Sequence, residues 1–123
     1  MVEMTRPVPI FRIFDEAKTR EFYVDYLGFL IDFEHRFADN LPLYMGVTRG
    51  GLELHLSEHH GDGVPGARVR VLVNDIDALH AELAAKKYKY ARPEILDQDW
   101  GFRELDITDP FGNHLIFCEK KAE

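Results

Sequence analysis

The sequence is poor in cysteine, in positive charge and in long apolar runs. Its single cysteine, Cys118, allows no internal disulfide and no multi-cysteine zinc site. Within "HLIFCE" it reads as a buried thiol of the last strand rather than a nucleophile. Lysine and arginine number 15 against 22 aspartates and glutamates, a formal net charge of -7. Such a surface repels phosphate backbones, which argues against nucleic acid and suits a neutral or cationic small molecule. No apolar run approaches the roughly 18–20 residues of a membrane span, so no membrane partner is expected. The start, "MVEMTRPVPI", shows no basic segment leading into an apolar one, so the expected location is cytoplasmic. No Ser-His-Asp or Cys-His pattern stands out. "GDGVPG" lacks the Lys-Ser/Thr ending and the following helix of a phosphate loop.

What is present fits one domain of 123 residues with a core to bury. "VPIFRIF", 8–14, reads as a strand, and Asp15 then caps a helix over "EAKTREFYVDYL". Ala17, Phe22, Tyr23 and Tyr26 fall near one face of that helix, and Gly28 stops it. Three strands follow: "FLIDFEHRF", "LYMGVT", and "LELHL" after the Gly50-Gly51 turn. The stretch "SEHHGDGVPG" is dense in Gly, Pro and polar residues, as a linker is.

After it the order repeats. "ARVRVLV" reads as a strand, and Asn74 or Asp75 caps "IDALHAELAAKK", with Ile76, Leu79 and Leu83 facing inward. "ARPEIL", "FRELDIT" and "HLIFCE" read as three more strands. The fold class is therefore α+β: two paired βαβββ modules forming a curved mixed sheet around a cleft. Module 1 covers about 7–57, the linker 58–66 and module 2 about 67–119. A repeat of this size implies duplication of one unit, and a pocket between paired units is a common ligand site.

"FRIFDEAKTREFYVDYLGFLIDFEHRF" and "WGFRELDITDPFGNHLIFCE" together resemble the vicinal oxygen chelate superfamily, which holds glyoxalase I, extradiol dioxygenases, fosfomycin resistance enzymes and bleomycin resistance proteins. The resemblance spans nearly the whole chain. It implies a homodimer, often with exchange of modules between subunits. In the enzymes of that group the first and last strands of each module supply ligands to one divalent metal. Carried over, those positions are Val8, Glu53, Arg68 and Ile116. Val8 and Ile116 have no lone pair to give, and Arg68 brings a positive charge, so only Glu53 suits a cation. No cofactor, no metal ligands and no catalytic residues are therefore expected.

The nearest resemblance is to bleomycin resistance proteins, through Val8-Pro9, Gln98-Asp99-Trp100-Gly101 and Asp109 to Asn113. It implies a protein that sequesters a flat, cationic antibiotic without reacting with it. Stacking aromatics and carboxylates are what such a ligand needs. The expected ligand-binding residues are Phe37, Trp100, Phe102, Tyr44, Asp32, Glu53, Arg68, Glu104 and Ile116. Several have plain alternatives. Trp100 also suits core or dimer packing, and Phe37 suits a core position. Glu53 suits a salt bridge with Arg68. In "ELHLSEHH", Glu53 and His55 share a strand face, while His59 and His60 lie in a loop, which reads as a polar face rather than a metal site. His35 and His80 read as surface residues, and "AAKKYKY" as a basic helix end. The alternative function is a metal-dependent lyase, isomerase or dioxygenase of the same superfamily, using Glu53 with His55.

Overall fold

A computed structural model describes residues 1–122. Two four-stranded mixed sheets, each with its own helix, make an α+β fold of two modules. The first module contains β1 (Ile10–Arg12), α1 (Glu16–Thr19), β2 (Leu30–His35), β3 (Tyr44–Arg49) and β4 (Leu52–Ser57). The second contains β5 (Arg68–Leu72), α2 (Ile76–Ala85), β6 (Leu96–Asp97), β7 (Phe102–Thr108) and β8 (His114–Lys120). The sheet orders, β1-β4-β3-β2 and β5-β8-β7-β6, are the same pattern used twice. In each, the first strand lies parallel to the last and the other pairs are antiparallel.

Local chemistry explains most of these boundaries. Asp15 and Asp75 each accept a backbone N–H three residues on, Lys18 at 2.8 Å and Ala78 at 3.0 Å, so both helices start where a carboxylate caps them. The β3–β4 hairpin turns on Gly50 and Gly51, both at positive φ as the primed two-residue turns require. The last hairpin turns on Asp109, whose Oδ1 accepts the N–H groups of Phe111 and Asn113, both at 2.8 Å.

Three elements differ from the sequence reading. The first helix widens after one turn into a π-helical segment, Arg20–Tyr26, that carries Phe22, Tyr23 and Tyr26 into the core together. The strand expected over 8–14 is only Ile10–Arg12: Pro9 has no N–H and contributes only its carbonyl, which accepts from His55 N at 2.9 Å. "ARPEIL" is irregular up to Ile95, with Pro93 unable to donate to a ladder, and the edge strand there is reduced to Leu96–Asp97.

The modules share one core. Leu54, Leu56, Met45 and Val47 of the first sheet join Leu105, Ile107, Leu115 and Phe117 of the second, with both helices supplying apolar side chains. Polar ties close the seam. Asp109 Oδ2 accepts the Tyr23 hydroxyl at 2.6 Å and Asn113 Nδ2 at 2.9 Å, and Asn113 Nδ2 also reaches Arg12 O at 2.9 Å. Arg49 forks onto Glu82 at 2.8 and 2.7 Å. Lys86 does more than complement its own helix end. Its ammonium donates to Asp25 O and Tyr26 O, the free carbonyls at the end of the other module's helix. Among the described residues no helix is long and apolar enough to cross a membrane.

Candidate functional site

With alternate residues committed to the core, each sheet has a second face turned away from it. On the second sheet that face carries Arg68 and Arg70 from β5, Glu104 and Asp106 from β7, and Ile116 and Cys118 from β8. The turn before β7 brings Trp100 over its edge. All of these but Cys118, together with Leu96 and Gln98, line a cavity of about 420 Å³. Ile116, only 5% exposed, lies between Arg70 and Asp106 in the ladders and gives the cavity an apolar floor.

Glu104 organises this cavity. It is 7% exposed and accepts from Arg70 at 2.6 Å, from the Trp100 indole N–H at 3.1 Å and from Gln98 at 3.4 Å. Burial pushes its carboxyl up, but the hydrogen bonds from Arg70 and Trp100 outweigh that and hold it below the usual range. Its charge is thus spent inside the protein rather than offered to a ligand. Trp100, by contrast, is 61% exposed, so a pinned indole presents its ring to solvent. Phe102 is half-buried beneath the Arg70 guanidinium, 5.4 Å from its ring centre. Arg68 reaches Asp106, at 3.4 Å. Cys118 is buried under this face, as expected, and burial pushes its thiol up.

The other expected residues lie on the first module. Tyr44 and Glu53 stand on the open face of its sheet, linked through His55: the tyrosine hydroxyl is 2.7 Å from Nδ1, and Nε2 is 2.8 Å from Glu53 Oε2. Burial raises the Tyr44 hydroxyl, and the negative charges of Asp62 and Glu53 raise it further. Phe37 follows β2 and is largely exposed, edge-on to His35 and His59. Asp32 is exposed on the edge strand β2.

The expected Glu53–Arg68 salt bridge is absent. Glu53 pairs with His55, and Arg68 with Asp106, because the two residues belong to different sheets and each finds its partner on its own. Nor are Phe37 and Trp100 brought together: among the described residues no ring contact joins them, and Phe37 is not among the residues lining the Trp100 cavity.

Three contributors escaped the sequence reading. Arg70 was legible as the second arginine of an alternating strand. His55 enters the sequence reading as part of a polar face and as the companion of Glu53 in the metal-dependent alternative, not as a partner of Tyr44. Phe33 lies flat across Gly46 on the open face of the first sheet, and only the β2–β3 register shows that.

The residues at the four positions that the resemblance assigns to a metal do not suit a divalent ion. Val8 and Ile116 are aliphatic, Arg68 is a cation, and Glu53 already accepts from His55. Among the described residues no group of three or more His, Cys, Asp and Glu side chains is placed to hold one.

A family model described as "Glyoxalase superfamily protein" matches residues 1–123. Among solved structures, a bleomycin-binding protein complexed with bleomycin is 21% identical, with a TM-score of 0.71 over 96% of this chain and 100% of that one. A bleomycin resistance determinant encoded on the transposon Tn5 is also 21% identical, with a TM-score of 0.74 over 97% and 100%. A glyoxalase-related enzyme from Clostridium phytofermentans is 22% identical, with a TM-score of 0.72 over 97% of each chain. These likenesses show the fold. No curated protein matches the chain.

Proposed function

We propose, on the premise that this chain belongs to the glyoxalase superfamily, that it is a bleomycin-resistance-type binding protein. It sequesters a flat, cationic small molecule without metal chemistry. The observation that carries this reading is the Trp100 ring: mostly exposed, yet pinned through its N–H to a buried carboxylate above an apolar floor. An aromatic held rigid in water costs little entropy to bury against a second ring, which is what a stacking platform needs. The net charge of -7 favours a cation. Sequestration works by mass action, lowering the free ligand around its target in the cytoplasm.

The reading includes a homodimer. In one chain the Trp100 cavity and the Phe37–Tyr44–Glu53 face are separate half-sites. Leu30, Leu72 and Leu96 are each more than half exposed on their strands. A groove of about 770 Å³ runs beside Val8, Leu52 and Leu72. Contact with a second copy would cover such surface and set one half-site against the other. Asp32, Phe102 and Arg68 then serve as rim contacts, and Ile116 as floor.

The test is a titration of Trp100 fluorescence with bleomycin and with unrelated aromatic cations, alongside metal analysis of the purified protein. Saturable quenching by a planar cation, lost in Trp100→Ala, is the expected result. No response to any of them removes the binding reading. A stoichiometric zinc, nickel, manganese or iron ion would favour a metal-dependent lyase, isomerase or dioxygenase instead.

A further inference from the structure

The open face of the first sheet has an organisation that the fold does not require. Phe33 from β2 lies over Gly46 so closely that a Cβ at that position would stand 2.3 Å from its ring. Its plane is within 16° of Tyr44 at 6.2 Å, and His55 meets its edge at 5.2 Å. None of these side chains belongs to the hydrophobic core. A glycine in a strand weakens it, and here it makes the space that seats a partly exposed aromatic ring.

The polar chain on the same face has a direction. Tyr44 has a single hydroxyl proton, and Nδ1 of His55 lies 2.7 Å from its oxygen. With that proton donated to Nδ1, the ring proton on Nε2 is given to Glu53 Oε2 at 2.8 Å, since a carboxylate oxygen accepts. Both protons then point along the chain. What this chain of three side chains leaves for a ligand is acceptors: the tyrosine oxygen lone pair and the second carboxylate oxygen of Glu53, beside the faces of Phe33 and Tyr44. The charges nearby agree. Glu53 and Asp62 both bear on Tyr44, and Asp62 is fixed by Ser57 Oγ at 2.8 Å. The one cation of this face on β1, Arg12, is turned to the carbonyl of His59 at 2.9 Å and to the ring of Phe14.

We infer that Phe33, Tyr44, His55 and Glu53 form a subsite that selects a planar aromatic cation by its N–H groups, such as an arylamidinium or a protonated aminoheterocycle, over a fully alkylated cation of the same charge. Stacking and charge alone do not separate the two. A surface of acceptors does, because only the first ligand can pair with them, and an acceptor desolvated against methyl groups is left unpaired. The inference rests on the binding reading above and sharpens it to one half-site and one ligand chemistry.

The test uses four probes with the full-length protein: benzamidine, its neutral analogue benzamide, the anion benzoate, and phenyltrimethylammonium, which has the charge but no N–H. Two-dimensional NMR follows the backbone amides of β3 and β4 and the His55 imidazole. Benzamidine should give saturable shifts at Tyr44, Gly46, Glu53 and His55, and bind at least about tenfold more tightly than each of the other three. Glu53→Gln should weaken benzamidine about tenfold and Tyr44→Phe severalfold, with amide spectra elsewhere unchanged, while Glu104→Gln has no effect. Equal binding of phenyltrimethylammonium overturns the inference, as do shifts that map to the Trp100 cavity or indifference to Glu53→Gln. If benzamidine gives no saturable shift up to about 10 mM while bleomycin still quenches Trp100, this subsite falls and the wider binding reading stands. If benzamidine binds here and bleomycin does not quench, the reverse holds.

Discussion

Trp100 donates its indole N–H to Glu104 Oε2 at 3.1 Å, and this bond fixes a ring that is otherwise mostly in solvent. Glu104 also neutralises Arg70, so one buried carboxylate sets the position of both a stacking surface and a cation. Glu104→Ala should therefore loosen the ring rather than merely remove a charge. Steady-state anisotropy of Trp100 should drop, and affinity for any stacked ligand should fall about tenfold, worth about 1.4 kcal/mol. Glu104→Gln, which keeps an acceptor oxygen, should retain most of the anisotropy. Equal anisotropy in the wild type and the alanine variant would show that the bond does not restrain the ring.

The seam between modules should be sensitive at Tyr23. Its hydroxyl donates to Asp109 at 2.6 Å in a buried setting, and burial next to that carboxylate raises the phenol well above its ordinary value. Tyr23→Phe keeps the ring packing and removes one donor from a charged acceptor. The expected loss is about 1.5–3 kcal/mol of unfolding free energy, read by denaturant titration. A change below about 0.5 kcal/mol would mean that Asn113 and the turn amides alone satisfy the carboxylate.

Acid should erode the fold in part through Glu104. Its folded pKa lies below the unfolded value of about 4.3, so its stabilising contribution is fully present above that pH and is lost as pH falls through the folded pKa. Thermal melts between neutral pH and about pH 3 should show the wild type losing stability on acidification, and Glu104→Gln losing less over the same window. Parallel curves for the two proteins would assign the acid sensitivity to other carboxylates.

Gly46→Ala separates stability from binding. Gly46 lies in a strand without a positive φ, so alanine should be neutral or slightly favourable for folding, once Phe33 swings away from the new methyl. The ring is partly exposed. The expected outcome is an unchanged melting temperature with loss of benzamidine shifts at Tyr44 and His55. Retained shifts would show that the seating of Phe33 is irrelevant to the subsite.

Leu72→Asp tests the second copy. Leu72 is 74% exposed on β5 in the single chain. A charge there should leave the fold intact and shift light scattering from dimer to monomer, with bleomycin quenching weakened at the same time. A wild type that scatters as a monomer at every concentration would remove the dimer from the functional reading.

The architecture was legible because its signals are local. Asp15 as one cap and Asn74 or Asp75 as the other, Gly50-Gly51 and Asp109-Pro110 as turns, and the repeated strand-to-helix order all act within a few residues. What depends on register was not legible. Glu53 and Arg68 looked like partners because the resemblance assigns both to one cation site, yet the last strand of the first module and the first strand of the second belong to separate sheets. Glu104 looked like a free charge until Arg70 and Trp100 were seen to converge on it. Phe33 and Gly46 are 13 residues apart and meet only through the β2–β3 pairing, which a bulge between Ile31 and Phe33 shifts. The π-helical widening over Arg20–Tyr26 likewise answers to the shared core rather than to any sequence of caps.

The division of labour within β4 has a consequence for how this scaffold diverges. On β4, Leu54 and Leu56 are committed to holding the molecule together, while Glu53 and His55 between and beside them face outward and are only half-buried. Replacing those neighbours leaves the interior unchanged, so drift there alters what the protein recognises at almost no risk to whether it folds. Relatives with one shape and different appetites are the expected product of that freedom.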